Sequence, residues 1–254
     1  MLSKNELKYY SSLLKKKNRQ EEKKFLAEGK KVVNEGLKSN YVCEILIVTN
    51  DFYESEQSFI KKIESNLRIE SVTNLEFHKL KDTVSPQGIA AVFAEPKDEK
   101  NKIQNLDEEI ICCLDEISDP GNLGTIMRNC DWFGISKILL TENCAEIYNP
   151  KVVRASMGSL FHLQCFNKIK LADIEKLKSK GYKLLCADLN GENLFEYEKN
   201  NKNIIVFSNE ANGPSAEILN ISDTKLTIPS YGKAESLNVA SASALILSQL
   251  VRKY

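Results

Sequence analysis

Five short apolar segments in the second half of the chain constrain its fold more than any other feature. They lie at 110–117, 137–141, 183–189, 203–208 and 225–229, with helical or loop segments between them. Short apolar strands joined by helices are typical of a mostly parallel sheet that is covered on both faces. The pattern therefore predicts an α/β fold. In such sheets ligands bind at the carboxyl ends of the strands, so a functional site is expected there.

The first part of the chain shows a second, smaller α/β pattern. Residues 25–37 (FLAEGKKVVNEGL) carry apolar side chains near helical spacing, which predicts an amphipathic helix. Residues 58–65 predict another helix, and 44–49 and 88–94 predict buried strands. These elements together predict a small α/β domain.

A polar stretch separates the two patterns. Residues 95–109 (EPKDEKNKIQNLDEE) show no apolar periodicity, which is typical of a linker. We therefore predict an amino-terminal domain over 1–94, a linker over 95–109 and a carboxyl-terminal domain over 110–254.

Composition argues against several classes of protein. With 42% hydrophobic and 28% charged residues, the chain can bury a core as soluble globular proteins do. Its longest apolar runs are too short to span a bilayer, and the first residues lack the apolar region of a signal peptide. Seven cysteines without CxxC spacing and two isolated histidines argue against a disulfide framework or a zinc site. They indicate reduced thiols in a cytoplasmic protein that holds no metal.

Positive charge is concentrated near the amino terminus of a chain whose net charge is zero. Residues 1–38 contain eleven lysines or arginines and five acidic residues. A basic arm of this kind suits a phosphate backbone, with Tyr9 and Tyr10 available to stack on bases. The alternative is a solvated, lysine-rich helix without a ligand.

Three of the predicted strands run into polar loops that contain glycine. The loops are SDPGNLG after the first strand, SNEANGPS after residue 207 and PSYGKAESLN after residue 228. In the first loop, Asn122 is predicted to cap the following helix, and Gly121 and Gly124 allow a close approach of the backbone. Three such loops at one edge of a sheet indicate a site.

The helix after the first loop is predicted to point an arginine away from the core. Ile126, Cys130 and Phe133 recur at helical spacing and form its apolar stripe. Arg128 lies about 200° around the helix from Ile126, at ~100° per residue. Taken alone, Arg128 is equally well an ordinary surface arginine.

The three loops resemble the three motifs of the SpoU (TrmH-like) branch of the SPOUT RNA methyltransferases. NLGTIMRNCDWFGI resembles motif 1, IVFSNEANGPS motif 2 and IPSYGKAESLNVASASALIL motif 3. VRASMGSLFHL (153–163) resembles the segment that this family carries between motifs 1 and 2. FLAEGKKVV and SPQGIAAV resemble its amino-terminal substrate-binding domain. One position departs from the pattern, because motif 2 usually has glycine where this chain has Ser208.

The resemblance implies a fold and an activity. The expected fold is a five- or six-stranded parallel sheet with a deep trefoil knot, preceded by a small L30e-like domain. The expected cofactor is S-adenosylmethionine, bound in the knot of an obligate homodimer. The expected reaction is methylation of a ribose 2′-hydroxyl in structured RNA, and the separate amino-terminal domain favours ribosomal over transfer RNA. The small residues of SLNVASASALIL permit the close packing that a threaded chain needs.

The resemblance also assigns roles to individual residues. The expected catalytic residues are Arg128, Asn122, Glu210, Ser236 and Asn238. The expected backbone contacts of the cofactor lie at Ser208, Asn209, Gly213, Ile228 and Leu237. The expected RNA contacts are Lys15, Lys16, Lys17, Arg19 and Arg154. Because guanidinium groups stay protonated in proteins, we interpret Arg128 as binding phosphate and stabilising an alkoxide rather than acting as a base.

Three other interpretations are open at this stage. The chain is a noncatalytic RNA-binding relative if Ser208 weakens the cofactor site. An ordinary doubly wound nucleotide-binding enzyme is disfavoured, because neither GxGxxG nor GxxxxGK[ST] follows any strand. A base-methylating SPOUT enzyme is chemically closer, but Arg128 in motif 1 and the Ser-Leu-Asn of motif 3 favour the ribose type.

Overall fold

A computed structural model describes residues 2–63, 67–96, 100–209 and 213–252. The chain forms two compact units. The first unit contains Met1–Lys97 and Glu146–Phe161, and the second contains Asp98–Ala145 and His162–Tyr254.

The secondary structure alternates between helices and strands along the chain. The first unit begins with α1 (Lys4–Ser12), α2 (Lys16–Glu22), β1 (Lys24–Glu28), α3 (Lys30–Lys38), β2 (Cys43–Thr49), α4 (Asn50–Ser55), α5 (Gln57–Ile63), β3 (Ile69–Val72), α6 (Asn74–Phe77) and β4 (Ile89–Ala94). A 3₁₀ helix (Lys100–Asn105) precedes β5 (Ile110–Asp115), α7 (Pro120–Trp132), β6 (Lys137–Leu140), α8 (Pro150–Ala155), a second 3₁₀ helix (Ser159–His162), β7 (Gln164–Phe166), α9 (Leu171–Lys178), β8 (Lys183–Asn193), β9 (Asn203–Ser208), α10 (Ala216–Ile221), β10 (Thr224–Thr227) and α11 (Val239–Val251).

The first unit contains a four-stranded sheet in the order β1-β4-β2-β3. Strands β2 and β3 are parallel, and β4 runs antiparallel to both of its neighbours. The predicted strands at 44–49 and 88–94 are confirmed as β2 and β4. The helix predicted at 58–65 corresponds to α5.

The helix predicted over 25–37 is wrong in its first part. Residues Lys24–Glu28 form β1, and the helix begins only at Lys30, after Gly29 at φ 100°. The three central residues of β1 are all buried, so the strand is apolar on both faces. Such a continuous run fits a short buried strand and a helix equally well, and only its pairing with β4 decides.

The first 38 residues belong to the folded unit, and their predicted contact with a phosphate backbone stays a prediction. Leu7, Tyr10 and Leu13 are buried in one core cluster with residues of the sheet. The Tyr9 hydroxyl donates a 2.8 Å hydrogen bond to the Glu22 carboxylate. Since Tyr10 is only 3% exposed, its ring is not available for the predicted stacking on bases, whereas the ring of Tyr9 is half-buried.

Aromatic packing explains why residues 146–161 lie in the first unit, although the predicted carboxyl-terminal domain included them. The ring of Tyr148 stacks on Phe25 with centroids 4.5 Å apart. The ring of Phe161 lies 5.0 Å from that of Phe93. Such pairs stabilise a core beyond the area that they bury. The segment therefore completes the aromatic core of the unit that contains β1 and β4.

The second unit contains a six-stranded sheet in the order β10-β8-β9-β5-β6-β7, in which every neighbouring pair is parallel. All five predicted strands are present, which confirms the α/β fold with a parallel sheet. The central strands β5 and β9 are buried along their whole length. Strand β7 was not predicted, because it has three residues and two of them are only half-buried.

Helices α7 and α11 pack closely in the second unit. The Asn129 side-chain amide donates to the Ala240 carbonyl at 2.8 Å and to the Ser243 hydroxyl at 2.9 Å. Ala240 and Ser243 are both buried, so small residues of α11 face α7 where the two helices meet. Within the described ranges, no helix has both the length and the hydropathy needed to cross a membrane. The trefoil knot stays a prediction.

Candidate active site

The carboxyl ends of β5 and β9 lie side by side and are joined by a buried carboxylate. Asp115 and Ser208 are paired across the two strands and are only 4% and 9% exposed. Asp115 Oδ1 accepts a 3.2 Å hydrogen bond from the Thr141 hydroxyl, and Oδ2 accepts a 3.0 Å bond from the backbone N–H of Ser215. The backbone N–H of Asn209 donates to the Asp115 carbonyl at 3.2 Å. Asp115 thus ties together the segments that follow β5, β6 and β9.

The sequence analysis did not single out Asp115 as a site residue. The available signal was a carboxylate at the end of an otherwise apolar buried strand, IICCLD. Buried carboxylates are rare unless they are bonded, so such a position is a candidate for a structural or functional role.

The segment after β5 begins with strained backbone and then enters α7. Glu116 has φ 57°, in the left-handed region that non-glycine residues rarely adopt. Its carbonyl accepts a 3.3 Å hydrogen bond from the Asn209 side chain, and its carboxylate accepts a 2.9 Å bond from the Asn143 side chain. Both contacts hold the strained residue between neighbouring loops.

The predicted helix cap at Asn122 is wrong. Asp119 caps α7, and its side chain accepts a 2.8 Å hydrogen bond from the backbone N–H of Asn122. Pro120 takes the first helical position, which suits its fixed φ and its missing N–H. Much of the predicted loop is therefore the first turn of the helix, and Asn122 lies inside that turn.

Asn122 and Asn238 meet although they come from separate predicted motifs. Asn238 Nδ2 donates a 3.0 Å hydrogen bond to Asn122 Oδ1. Asn238 is also the cap of α11, since its Oδ1 accepts from the backbone N–H groups of Ala240 and Ser241 at 3.0 and 3.4 Å. One asparagine therefore fixes the start of α11 and reaches the first turn of α7.

Arg128 is exposed on α7, on the side away from the buried Ile126 and Cys130. Phe133, the third member of the predicted stripe, is half-buried at the end of the helix. Within the part of the chain that the structure describes, the guanidinium of Arg128 makes no ion pair. Trp132 follows four residues later, 83% exposed, and was not predicted as a site residue. Arg128 and Trp132 thus share one exposed face of α7.

The predicted cofactor residues at the end of β9 show two unusual features. The Ser208 hydroxyl is buried and has no hydrogen-bond partner among the described residues. Gly213 has φ 64°, and a side chain at this position would meet nothing within 4 Å. A buried donor without a partner and an open left-handed glycine are features that a polar ligand can use.

The other predicted residues lie in the irregular segment between β10 and α11. Ile228 follows β10 directly and is half-buried, whereas Ser236 and Leu237 are exposed just before the start of α11. Glu210 lies outside the described residues.

The cysteines near this edge of the sheet, Cys144 and Cys186, are not activated as nucleophiles. Burial raises the pKa of the Cys144 thiol to about 11, and burial raises the pKa of Cys186 to about 12. The Cys144 thiol also donates to the Leu114 carbonyl at 3.3 Å. Because only a thiolate is a good nucleophile, neither cysteine is ready to attack a substrate at neutral pH.

Arg19 is not an RNA contact, which corrects the prediction. It is 1% exposed, and its Nε and Nη2 donate to the Glu146 carboxylate at 3.0 and 2.6 Å. Its Nη1 donates to the carbonyls of Leu13 and Leu14 at 2.9 and 2.8 Å. The guanidinium is therefore a buried structural group of the first unit. The sequence analysis missed this role because Glu146 lies 127 residues away.

The remaining predicted RNA contacts are accessible. Lys15, Lys16 and Lys17 are exposed around the start of α2. Arg154 is half-buried and pairs with the Asp82 carboxylate at 3.0 Å.

Two family models match consecutive parts of the chain. A family model described as the SpoU rRNA Methylase family matches residues 109–248, and one described as the MRM3-like substrate binding domain matches 4–91. The chain is 30% identical over 245 residues to the 23S rRNA (guanosine(2553)-2'-O)-methyltransferase RlmP of Bacillus subtilis. That alignment covers 96% of this chain and 95% of the Bacillus protein.

Two solved structures are similar over almost the whole chain. One, assigned to the TrmH family of RNA methyltransferases, comes from Porphyromonas gingivalis. It has a TM-score of 0.84 and 32% identity, and the match covers 98% of each chain. The other is an AdoMet-bound rRNA methyltransferase from Sinorhizobium meliloti. It has a TM-score of 0.85 and 26% identity, and the match covers 98% of this chain and 95% of that one.

Proposed function

Because the chain belongs to the SpoU rRNA methylase family, we propose that it transfers a methyl group from S-adenosylmethionine to a ribose 2′-hydroxyl of ribosomal RNA. The structural observation that supports this most is the contact between Asn122 and Asn238. It brings two of the three predicted motifs together beside the helix that carries the exposed Arg128. The similarity to a 23S rRNA 2'-O-methyltransferase over almost the whole chain favours an enzyme over the noncatalytic alternative.

The residues at the strand ends fit S-adenosylmethionine. A buried hydroxyl without a partner is unfavourable by about 1–3 kcal/mol, so the Ser208 hydroxyl is suited to bond a polar cofactor atom. The open, left-handed Gly213 leaves room beside the backbone. We assign the backbone contacts to Ser208, Asn209, Gly213, Ile228 and Leu237. The bound cofactor supplies an electrophilic methyl group on a sulfonium.

Arg128 is assigned to the RNA rather than to the cofactor. Methyl transfer is an in-line displacement that needs the 2′-oxygen held about 3–3.5 Å from the methyl carbon. That oxygen is a weak nucleophile until its proton leaves, so negative charge develops on it. A guanidinium binds phosphate through a planar pair of N–H groups and stabilises this charge. Its exposure on α7 leaves Arg128 accessible to a large substrate.

The other assigned residues position these groups. Asn122 and Asn238 hold the first turn of α7 against the start of α11. Ser236 and Glu210 are assigned, through the resemblance, to orienting the substrate. Lys15, Lys16, Lys17 and Arg154 are assigned to RNA contacts on the first unit.

We also propose a homodimer formed through the second unit. Trp132 on α7 is 83% exposed and Leu245 on α11 is 43% exposed, and these two helices pack together. Exposed aromatic residues of this kind are enriched at interfaces between chains. The trefoil knot belongs to the same proposal. A cytoplasmic location is proposed because all seven cysteines are free.

Mapping of 2′-O-methyl groups tests the proposed function. Total ribosomal RNA from cells with and without the gene is compared, and we expect one ribose to lose its methyl group when the gene is absent. Calorimetry with S-adenosylmethionine should give a Kd of roughly micromolar size, about −8 kcal/mol. Identical methylation maps together with no cofactor binding would favour the noncatalytic alternative.

A further inference from the structure

A groove in the first unit provides a site that the proposed mechanism does not use. Its volume is about 760 Å³, and it runs between α3 and the pair of helices α4 and α5. Lys30, Lys31 and Asn34 form the wall on α3, Glu56 and Phe59 line the opposite wall, and Gln87 lies at one end.

The groove continues into a second pocket. This pocket has a volume of about 280 Å³ and shares Phe52, Ser55 and Gln87 with the first. Asn74 and His78 extend the lining there. The two cavities therefore form one elongated, open depression with amide, aromatic, basic and acidic side chains along it.

Contacts between the two walls hold the groove open. The Lys30 amine pairs with the Glu56 carboxylate at 2.6 Å and lies 5.5 Å from the centre of the Phe59 ring. The backbone N–H of Lys30 donates to Gln87 Oε1 at 2.8 Å. Because both ends of Lys30 are held, α3, α5 and the segment around Gln87 keep a set geometry before any ligand binds.

Several polar groups along the groove remain available to a ligand. Among the described residues, the Lys31 amine has no ion pair and the Gln87 side-chain nitrogen has no acceptor. The side-chain oxygen of Asn34 accepts no hydrogen bond in the same part of the structure. Lys30 and Glu56 neutralise one another, so Lys31 is the cation of the larger pocket that is left for a phosphate. Asp51 lines the smaller pocket, where its carboxylate accepts a 2.9 Å hydrogen bond from the Asn74 side chain.

We infer that this groove binds an unpaired nucleotide of the RNA substrate. Amide side chains present donors and acceptors in one plane, which suits the edge of a base, and an aromatic ring accepts its face. Lys31 is placed for the adjoining phosphate. A paired base in an RNA duplex hides its edge, so the lining suits single-stranded RNA. This inference rests on the proposed function and names the surface through which the first unit engages the substrate.

A double variant in α3 tests the inference in the full-length protein. Lys31→Glu places a negative charge in the first turn of the helix, and Asn34→Ala raises helix propensity, so neither change should harm folding. We expect the KM for unmethylated ribosomal RNA, from cells without the gene, to rise about tenfold or more. The kcat and the Kd for S-adenosylmethionine should stay within about twofold.

Lys4→Glu is the matched control. It makes the same charge change in the first turn of a helix, but Lys4 is exposed on α1 and does not line the groove. We expect this variant to keep the KM of the wild type. If the double variant also kept that KM, or if Lys4→Glu raised it equally, the groove would not be the binding site.

Ultraviolet crosslinking of the wild-type protein to the same ribosomal RNA gives a second measurement that needs no methyl transfer. We expect crosslinked peptides that contain Lys31, Phe59 or Gln87, and competition by a single-stranded 12-nucleotide RNA but not by its duplex. Crosslinks confined to other segments, or equal competition by the duplex, would overturn the inference. Crosslinks in the groove without any methyl transfer would instead contradict only the proposed function.

Discussion

The side chain of Asn238 donates a 3.0 Å hydrogen bond to the side chain of Asn122, across 116 residues of sequence. Asn238 Oδ1 is already held by two backbone N–H groups at the start of α11. Its Nδ2 is therefore fixed toward the first turn of α7, the helix that carries Arg128. The contact couples the placement of the irregular segment before α11 to the placement of the proposed catalytic arginine.

Replacing Arg128 should remove activity without affecting the fold. Loss of a preorganised charge-stabilising donor typically costs about 10²–10³ in rate, or about 3–4 kcal/mol. We expect at least this loss for Arg128→Ala, with stability and S-adenosylmethionine affinity near wild type because the side chain is exposed. Arg128→Lys should also be impaired, since an ammonium cannot make the bidentate contact. Single-turnover transfer to unmethylated ribosomal RNA measures both variants, and wild-type rates in Arg128→Ala would refute the assignment.

Two substitutions of Asn238 should separate helix capping from the contact with Asn122. Asn238→Ala loses both, so we expect a loss of about 1 kcal/mol in the free energy of unfolding and reduced methyl transfer. Asn238→Ser keeps a good cap, but its side chain is too short to reach Asn122 Oδ1. We therefore expect near wild-type stability and a rate lowered about tenfold. If Asn238→Ser retained the full rate, the contact would have no role in positioning.

Asp115→Ala should weaken cofactor binding. Alanine has no acceptor, so the backbone N–H of Ser215 loses its partner at a cost of about 1–3 kcal/mol. The segment after β9 is then held less firmly, and we expect the Kd for S-adenosylmethionine to rise about tenfold. Calorimetry measures it, with the exposed Asp107→Ala as control. Equal affinities for the two variants would argue against a positioning role of Asp115.

Arg19→Ala should destabilise the protein rather than weaken RNA binding specifically. Removing one partner of a buried ion pair typically costs about 3–5 kcal/mol, because the Glu146 carboxylate loses its counter-charge. Replacing both groups, as Arg19→Met with Glu146→Leu, should recover much of that loss. Urea unfolding measures both variants. An Arg19→Ala protein of normal stability with weakened RNA binding would reinstate the original prediction.

The proposed homodimer can be tested through the exposed tryptophan. Light scattering at micromolar concentration should give about twice the monomer mass of 28.7 kDa for the wild type. We expect Trp132→Lys to shift the protein toward monomer, because a charge at the centre of an interface is strongly unfavourable. A wild-type protein with the monomer mass would contradict the proposal.

The local sequence pattern was sufficient to predict much of the secondary structure of the second unit. The predicted strands at 110–117 and 203–208 are β5 and β9, because strands buried on both faces must be apolar throughout. Helical periodicity also predicted the exposure of Arg128, since it depends only on rotation per residue. Where pattern and pairing competed, as at Phe25–Glu28, the pattern predicted a helix and pairing with β4 produced a strand.

The sequence by itself therefore determined the parallel sheet, the outward direction of Arg128 and the three loops that resemble a methyltransferase family. Only the tertiary structure decided that Arg19 is buried against Glu146, that Asn238 meets Asn122 and that Asp115 joins three segments. The physical reason is the distance along the sequence over which each interaction acts. Periodicity and helix-capping preferences act over a few residues, whereas these hydrogen bonds join groups about a hundred or more residues apart, which only the folded sheet and helices bring within 3 Å of each other.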